Sequence, residues 1–466
     1  NEISKYYYSI NNSSYVEGSS TYTFTNLNEQ TTYNIKVKVA DTNGRMSNEY
    51  SLSATTDAYK LPTIADVTTS STYNSITINV RGQNGDGTIT EYYYSKDDGS
   101  NYVKSTSSSY TFTELTSNTT FYIKVYVKDS NGKSSSVFTT SSKTEISTIA
   151  DYCSSGTDLA TCVKNFGNQG PDISNIYIHN SSLANGAGDN SYRYAGASES
   201  VNNFVCFGST TSPCPIDNLY RIVGVFGDNY HGVTGKQLVK LIKYDYANSN
   251  LLGTDGDYDG SSTPNTYHYK GSLTAINTYY WNYKADTSKY NNPWSTSLLN
   301  KTNLNTNFIN NIGGTWANKI ATVIWKVGGN IWNNITRVVP ATAYQNEVVN
   351  PVPGDYSTTG ETTYSAKIGL MYASDYGFGA VPEAWTDILE YYYGIESQNW
   401  MSMGYYDWTI SRDASYSDSV FNVAQDGGVC RSGVGNYYGV RPSFSLESSV
   451  SYVSGSGSMS DPIVIN

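Results

Sequence analysis

Apolar and polar residues alternate with period two along much of this chain, and clusters of Gly, Ser, Asn and Asp separate the alternating runs. That pattern predicts half-buried β-strands joined by turns. The first 147 residues carry it twice. "EISKYYYSI" at 2–10 returns as "TITEYYYSK" at 88–96, and "STYTFTNLNEQTTYNIKVKVADTNG" at 20–44 returns as "SSYTFTELTSNTTFYIKVYVKDSNG" at 108–132. Each copy has short strands with a turn about every ten residues, the rhythm of an all-β sandwich. The copies differ in length. "LPTIADVTTSSTYNSITINV" at 61–80 reads as two further strands ahead of the second copy, and the first has no counterpart. A sandwich lacking two strands leaves an open edge and half a core. The expectation is that upstream sequence or another chain supplies them.

Past residue 148 the pattern becomes mixed. "LYRIVGVFG" and "QLVKLIKYDY" predict a hairpin, and Ser419–Ala424, Tyr438–Leu446 and Pro462–Ile465 predict strands. Leu304, Phe308 and Ile312 recur every four residues and predict a helix over 296–312. A second helix is expected at 382–394, with Pro382 in its first turn, Trp385, Ile388, Leu389 and Tyr392 on one face, and Gly394 as its stop. The chain therefore reads as mainly β with a mixed α+β C-terminal domain. Its domains are a partial sandwich at 1–57, a full one at 60–146, and the mixed domain at 148–466.

Composition narrows the class. Charged residues are 15% of the 466, and the 45 Tyr help bring aromatics to 14%, enough apolar surface for sizeable cores and unlike a disordered chain. The formal charge is -11, with 12 basic against 14 acidic residues over 1–147 and 17 against 26 over 148–466. No basic stripe exists, which argues against a nucleic-acid partner. No apolar run is long enough to span a bilayer, so no membrane segment is expected in this chain. No signal peptide opens the sequence, and Asn1 is expected to be a processed start.

Chemistry-bearing residues are sparse. His179, His231 and His268 have no partner at catalytic or metal spacing and read as solvated. Nucleophile-elbow and phosphate-loop motifs are absent, and no pair of carboxylates stands out for glycoside hydrolysis. Five cysteines occur. Eight residues separate Cys153 from Cys162 and seven separate Cys206 from Cys214, loops that disulfides close readily; Cys430 is left over. "DGDYDG" at 255–260 matches the start of a calcium loop, with Asp255, Asp257 and Asp259 as oxygen ligands and Gly260 at the turn. Thr266 stands where the bidentate Glu belongs, so no cofactor is assigned and calcium is the one candidate against a plain polar loop.

Two resemblances add to this. "LNEQTTYNIKVKV" resembles the E–F corner of a fibronectin type III domain, which implies that the Tyr33 hydroxyl bonds to upstream backbone; Phe121 in the second copy lacks that hydroxyl. "SYRYAGASESVNNFVCFG", "YRIVGVFGDN", "KLIKYDY", "YYWN", "IGLMYASDYGFG", "YGVRPSFSL" and "GSGSMSDPIVI", in that order over 150–466, resemble a C-type-lectin-like domain of the formylglycine-generating-enzyme-like branch found in bacterial surface proteins. Active members of that branch use two reactive cysteines in the C-terminal part, where this chain has only Cys430, so the resemblance implies the fold without the activity. It also implies that variable ligand contacts lie in the closing segment. Arg412, Asp413, Tyr416, Asp418, Arg431, Tyr437 and Tyr438 are the candidates there, Arg and aromatics being enriched at binding hot spots. Arg441 is expected to be structural.

The expected function is an extracellular, non-enzymatic bacterial surface protein, with a fibronectin-like stalk presenting a lectin-like adhesin tip to a host or cell-surface glycan or protein. An anchor is expected upstream. The alternative is a structural subunit of a surface filament or pilus-like fibre that contacts copies of itself; a carbohydrate-active enzyme is third.

Overall fold

The computed structural model describes residues 2–227, 234–254, 276–282, 292–351 and 361–466, with the backbone alone of Thr266–Tyr267, Gly271–Leu273 and Tyr283–Lys284. The chain divides into two compact units, Asn1–Ile146 and Ser147–Asn466. Asp255, Asp257, Asp259, His231 and His268 lie outside the described residues. None of the described helices is long and apolar enough to cross a membrane.

In the first unit, strands β1 (Ile3–Ile10), β2 (Val16–Gly18), β3 (Thr32–Asp41) and β4 (Tyr50–Thr55) form one antiparallel sheet in the order β2–β1–β3–β4. The second repeat builds the same sheet from β7 (Ile89–Ser95), β8 (Val103–Ser105), β10 (Thr120–Asp129) and β11 (Phe138–Lys143), in the order β8–β7–β10–β11. It adds a second sheet of β5 (Thr63–Ser71), β6 (Ile76–Gln83) and β9 (Ser109–Phe112). Alternation turns Ile76, Ile78 and Val80 of β6 onto Ile123, Val125 and Val127 of β10, and these six close the core with Tyr94, Phe112 and Leu115. A 3+4 sandwich with this order is fibronectin type III-like.

The first repeat repeats those inward residues as Ile35, Val37 and Val39, yet they are only half-buried. No described strand faces them. "TYTF" at 21–24 is irregular there, while its copy pairs with β6 in the second repeat through Ile76–Phe112 and Ile78–Tyr110. A strand at a sheet edge needs its neighbour, and no described strand takes that place here. The corner itself is formed: the Asn28 N–H donates to the Tyr33 hydroxyl at 2.8 Å.

The second unit has one large core. Among its described residues nine strands, β12 (Ile176–Ile178) and β13 (Tyr192–Tyr194) among them, form a mixed sheet around β15 (Leu219–Phe226) and β16 (Leu238–Lys243), the expected hairpin. β14 (Phe204–Cys206) flanks β15 and pairs in parallel with Ile463–Ile465, and Ser443–Ser445 flanks β16. Helix α1 (Leu159–Gly167) packs on this sheet, with Asp158 capping it through the Thr161 N–H at 2.8 Å. Cys153 is bonded to Cys162 and Cys206 to Cys214, with Cα separations of 5.1 and 5.9 Å; Cys430 is free. Burial raises the pKa of the Cys430 thiol.

One expected helix is wound differently from its pattern, and three other expectations need correction. Residues 299–308 do form a helix that buries Leu304 and Phe308, but it is π-wound. No helix spans 382–394. Two 3₁₀ turns, Pro382–Thr386 and Leu389–Tyr391, are separated by extended Asp387 and Ile388, because the Leu389 and Glu390 N–H groups bond across to Val338 and Thr336 carbonyls. Tyr438–Leu446 is not one strand: Tyr437–Tyr438 and Ser443–Ser445 belong to different sheets, and Pro442 has no N–H to continue a ladder. His179 is also no solvated residue. It is fully buried between Phe378 and Trp385, its Nδ1 accepts the Ala187 N–H, and burial drives its pKa well down, with Arg193 adding to the shift.

Candidate functional site

The second unit carries buried charge as framework. Arg193 pairs with Asp189 at 2.8 Å and Asp375 at 3.5 Å, Lys240 with Asp375 at 2.5 Å, and the Tyr344 hydroxyl donates to Asp189. Arg441, expected to be structural, pairs with Asp407 and donates to the Met401 carbonyl at 2.6 Å. Burial raises the Asp407 carboxyl to about 6 even though Arg441 opposes it. Glu347 is pushed up to about 7, again by burial, although it accepts N–H bonds from Ala373 and Ser374. These groups are sealed from solvent and join the layers of the core.

Solvent meets chemistry on a second sheet. Strand Asp407–Asp413 pairs with Gly329–Asn330 on one side and Ser419–Val423 on the other, and Ser419–Val423 pairs with Val429–Gly433. Asp413 organises its edge. One carboxylate oxygen accepts the Ser415 and Tyr416 N–H groups, folding the loop, and the other accepts from Arg431 at 3.2 Å. The buried Asn292 amide fixes that loop from below by donating to the carbonyls of Asp413, Tyr416 and Ser419.

Arg431 is thereby held with its guanidinium 4.1 Å from the Tyr416 ring centre and 5.5 Å from that of Trp332, which opens the short helix Trp332–Ile335. Arg337 covers Trp332 at 5.3 Å and is ion-paired with Glu390. Two more exposed rings, Tyr391 and Tyr393, contact each other beside Glu390. Tyr416 is 51% and Trp332 37% exposed, and Trp332 is the one exposed Trp of the chain's eight, all of which are described. Rings stacked on guanidinium groups are stabilised by cation–π attraction, so they are presented in a fixed orientation. Each cation already has its acid.

Of the predicted binding residues, Asp413, Tyr416 and Arg431 come together in this stack. Arg412 does not face solvent: it is buried, donating to the Val327 carbonyl at 2.9 Å and the Glu361 carbonyl at 3.1 Å. Alternation along the strand explains the split, since successive side chains point to opposite faces. Asp413 is also buried and acts by positioning Arg431. Asp418 accepts from the Ser419 hydroxyl, and its carbonyl accepts the Val434 N–H. Tyr437 and Tyr438 lie on another strand, paired with Tyr280 and Tyr279. Tyr438 packs on Tyr406 and Trp408 with ring centres 4.7 and 4.4 Å away, whereas Tyr437 stays exposed beside Tyr280. Trp332, Arg337, Tyr391 and Tyr393 were not predicted. The available signal was a Trp set among polar residues in "NIWNNITR".

No protein-family model matches the chain, and no curated protein matches it. Among solved structures it is similar to the PKD1 domain of Vibrio anguillarum Epp, at 15% identity over 19% of this chain and 98% of that one, with a TM-score of 0.16. It is similar also to the FN1–FN3 domains of chicken CNTN1, at 15% identity over 30% of this chain and 56% of that one, TM-score 0.18. A two-domain fibronectin type III segment of chicken tenascin matches at 15% identity over 31% and 86%, TM-score 0.19. Each likeness takes in under a third of the chain, and the sandwich assignment rests on strand order. The chain is a mainly β protein with fibronectin type III-like sheets followed by a mixed α+β unit.

Proposed function

We propose that this is an extracellular bacterial surface protein that binds rather than catalyses, with fibronectin-like repeats as a stalk and the C-terminal unit as a C-type-lectin-like adhesin tip. The carrying observation is the fixed Tyr416–Arg431–Trp332 stack, which leaves aromatic area in water at a cost that burial elsewhere in this core avoids. Two closed disulfides support an oxidising compartment. The partner is a host or cell-surface glycan or protein. The full chain and its Trp332→Ala variant, applied to glycan and surface-protein arrays, test the reading: signal lost in the variant supports it, and equal signal from both removes the stack from the function.

The half-buried face of the first sheet favours a second reading, a filament subunit in which a neighbouring copy covers Ile35, Val37 and Val39. Sedimentation of the full chain across concentration tests it. A calcium ion at Asp255, Asp257 and Asp259 belongs to the same proposal; melting that is unchanged between calcium and chelator would remove it.

A further inference from the structure

Away from the aromatic stack, the disulfide-closed loop Cys206–Cys214 forms one wall of a surface cleft of about 190 Å³; Ser460, Asp461, Pro462 and Val464 form the other. Both walls are held in place. The disulfide ties the loop to β14, and the Ser209 hydroxyl accepts the Thr211 N–H at 3.0 Å. Opposite, the Asp461 carboxylate accepts the Ser456 N–H at 2.8 Å, and its main-chain carbonyl accepts the Gly457 N–H. What remains is unspent. Among the described residues nothing bonds the hydroxyls of Thr210, Thr211 and Ser212, or the second oxygen of Asp461. Pro213, Pro462 and the 39%-exposed Val464 add apolar surface between these polar groups.

The lining selects its ligand by elimination. No Lys, Arg or His lines the cleft, so nothing there attracts an anion. One carboxylate with neutral hydroxyls falls short of the charge and the six to eight oxygens that calcium takes. The volume is below the ~300–1,000 Å³ that drug-sized ligands occupy, which limits the guest to about one ring. Hydroxyls both donate and accept, and a carboxylate accepts two hydroxyl protons side by side. A ring with hydroxyls on its rim and C–H groups on its face meets both kinds of lining. We propose that the cleft between the Cys206–Cys214 loop and Asp461 binds a neutral monosaccharide unit, in a site separate from the aromatic stack.

Saturation-transfer NMR on the full chain tests this, with a hexose, an N-acetylhexosamine and a 6-deoxyhexose presented singly at millimolar concentration and n-butylamine as the cationic comparison. Transfer to at least one saccharide is expected. Asp461→Asn, which keeps an oxygen for the Ser456 N–H, should weaken its affinity about tenfold or more. Thr211→Val, which breaks no bond within the chain, should weaken it severalfold, and Trp332→Ala should leave it unchanged. Transfer to no saccharide overturns the proposal. So does transfer to butylamine alone, or saccharide binding that both cleft variants retain in full. Loss in Trp332→Ala with both cleft variants unaffected would assign the sugar to the stack instead.

Discussion

The two repeats place one residue in two environments, and this makes a sharp prediction. Ile123 is fully buried beneath β6, whereas its counterpart Ile35 is half-exposed on a sheet that no described strand faces. Ile123→Ala removes three carbons from a closed core, a transfer loss of about 2.4 kcal/mol at ~0.8 per methylene. The cavity left behind raises this to roughly 3–4 kcal/mol. Ile35→Ala loses about half the transfer term and leaves no cavity, since water already reaches the site, so about 1 kcal/mol is expected. Hydrogen exchange read by mass spectrometry separates the repeats peptide by peptide. Amides of β10 should lose protection by the larger amount in Ile123→Ala, and amides of β3 by the smaller in Ile35→Ala. Equal losses would refute the reasoning, because they would require the first sheet to be covered in solution.

Further outcomes follow from the same geometry. Tyr33→Phe should cost the first repeat about 1 kcal/mol by freeing the Asn28 N–H, measurable by exchange in the turn before β3. Non-reduced peptide mapping should give Cys153–Cys162 and Cys206–Cys214, and replacing the second pair by Ser should destabilise the C-terminal unit by about 2–4 kcal/mol in urea. All eight Trp lie in that unit, so Trp fluorescence reports it alone. Asp407 near 6 and Glu347 near 7 bind protons more tightly folded than unfolded, where ~3.9 and ~4.3 apply. Their contribution is therefore fully present below about pH 4 and lost as pH rises through 6 and 7. The urea midpoint should fall over that window and fall less in Glu347→Gln; a midpoint rising steadily from pH 4 to 7 would contradict the burial argument.

Period-two alternation made the sandwich strands legible, most clearly in β6 and β10, where buried residues alternate with more exposed ones. It also located the hairpin β15–β16 and strand Ser419–Val423. Helical periodicity misled at 382–394: Trp385, Leu389 and Tyr392 are indeed buried, but through two tight turns bonded to a neighbouring segment. Spacing alone does not distinguish these. Within the candidate site, Tyr416 and Arg431 were visible as residue types suited to binding, and Asp413 as their neighbour. The rest was not, since Trp332 meets Arg431 only through the parallel pairing of Gly329–Asn330 with Arg412–Asp413. His179 and Arg412 read as accessible in the sequence because a polar side chain gives no hint of the buried carbonyls and rings around it.

Strand Ile463–Ile465 lies between β14 and Tyr452–Ser454, and its partner β14 was laid down more than half the chain earlier. During synthesis from the N-terminus, the second sandwich can close as soon as residue 143 has cleared the ribosome. The C-terminal unit cannot. Its main sheet stays split until Ile463–Ile465 emerges, so until then β14 exposes an unpaired edge to chaperones and to sibling chains. Truncation ahead of Ile463 would leave that edge permanently open, and nascent chains stalled there should be the aggregation-prone species.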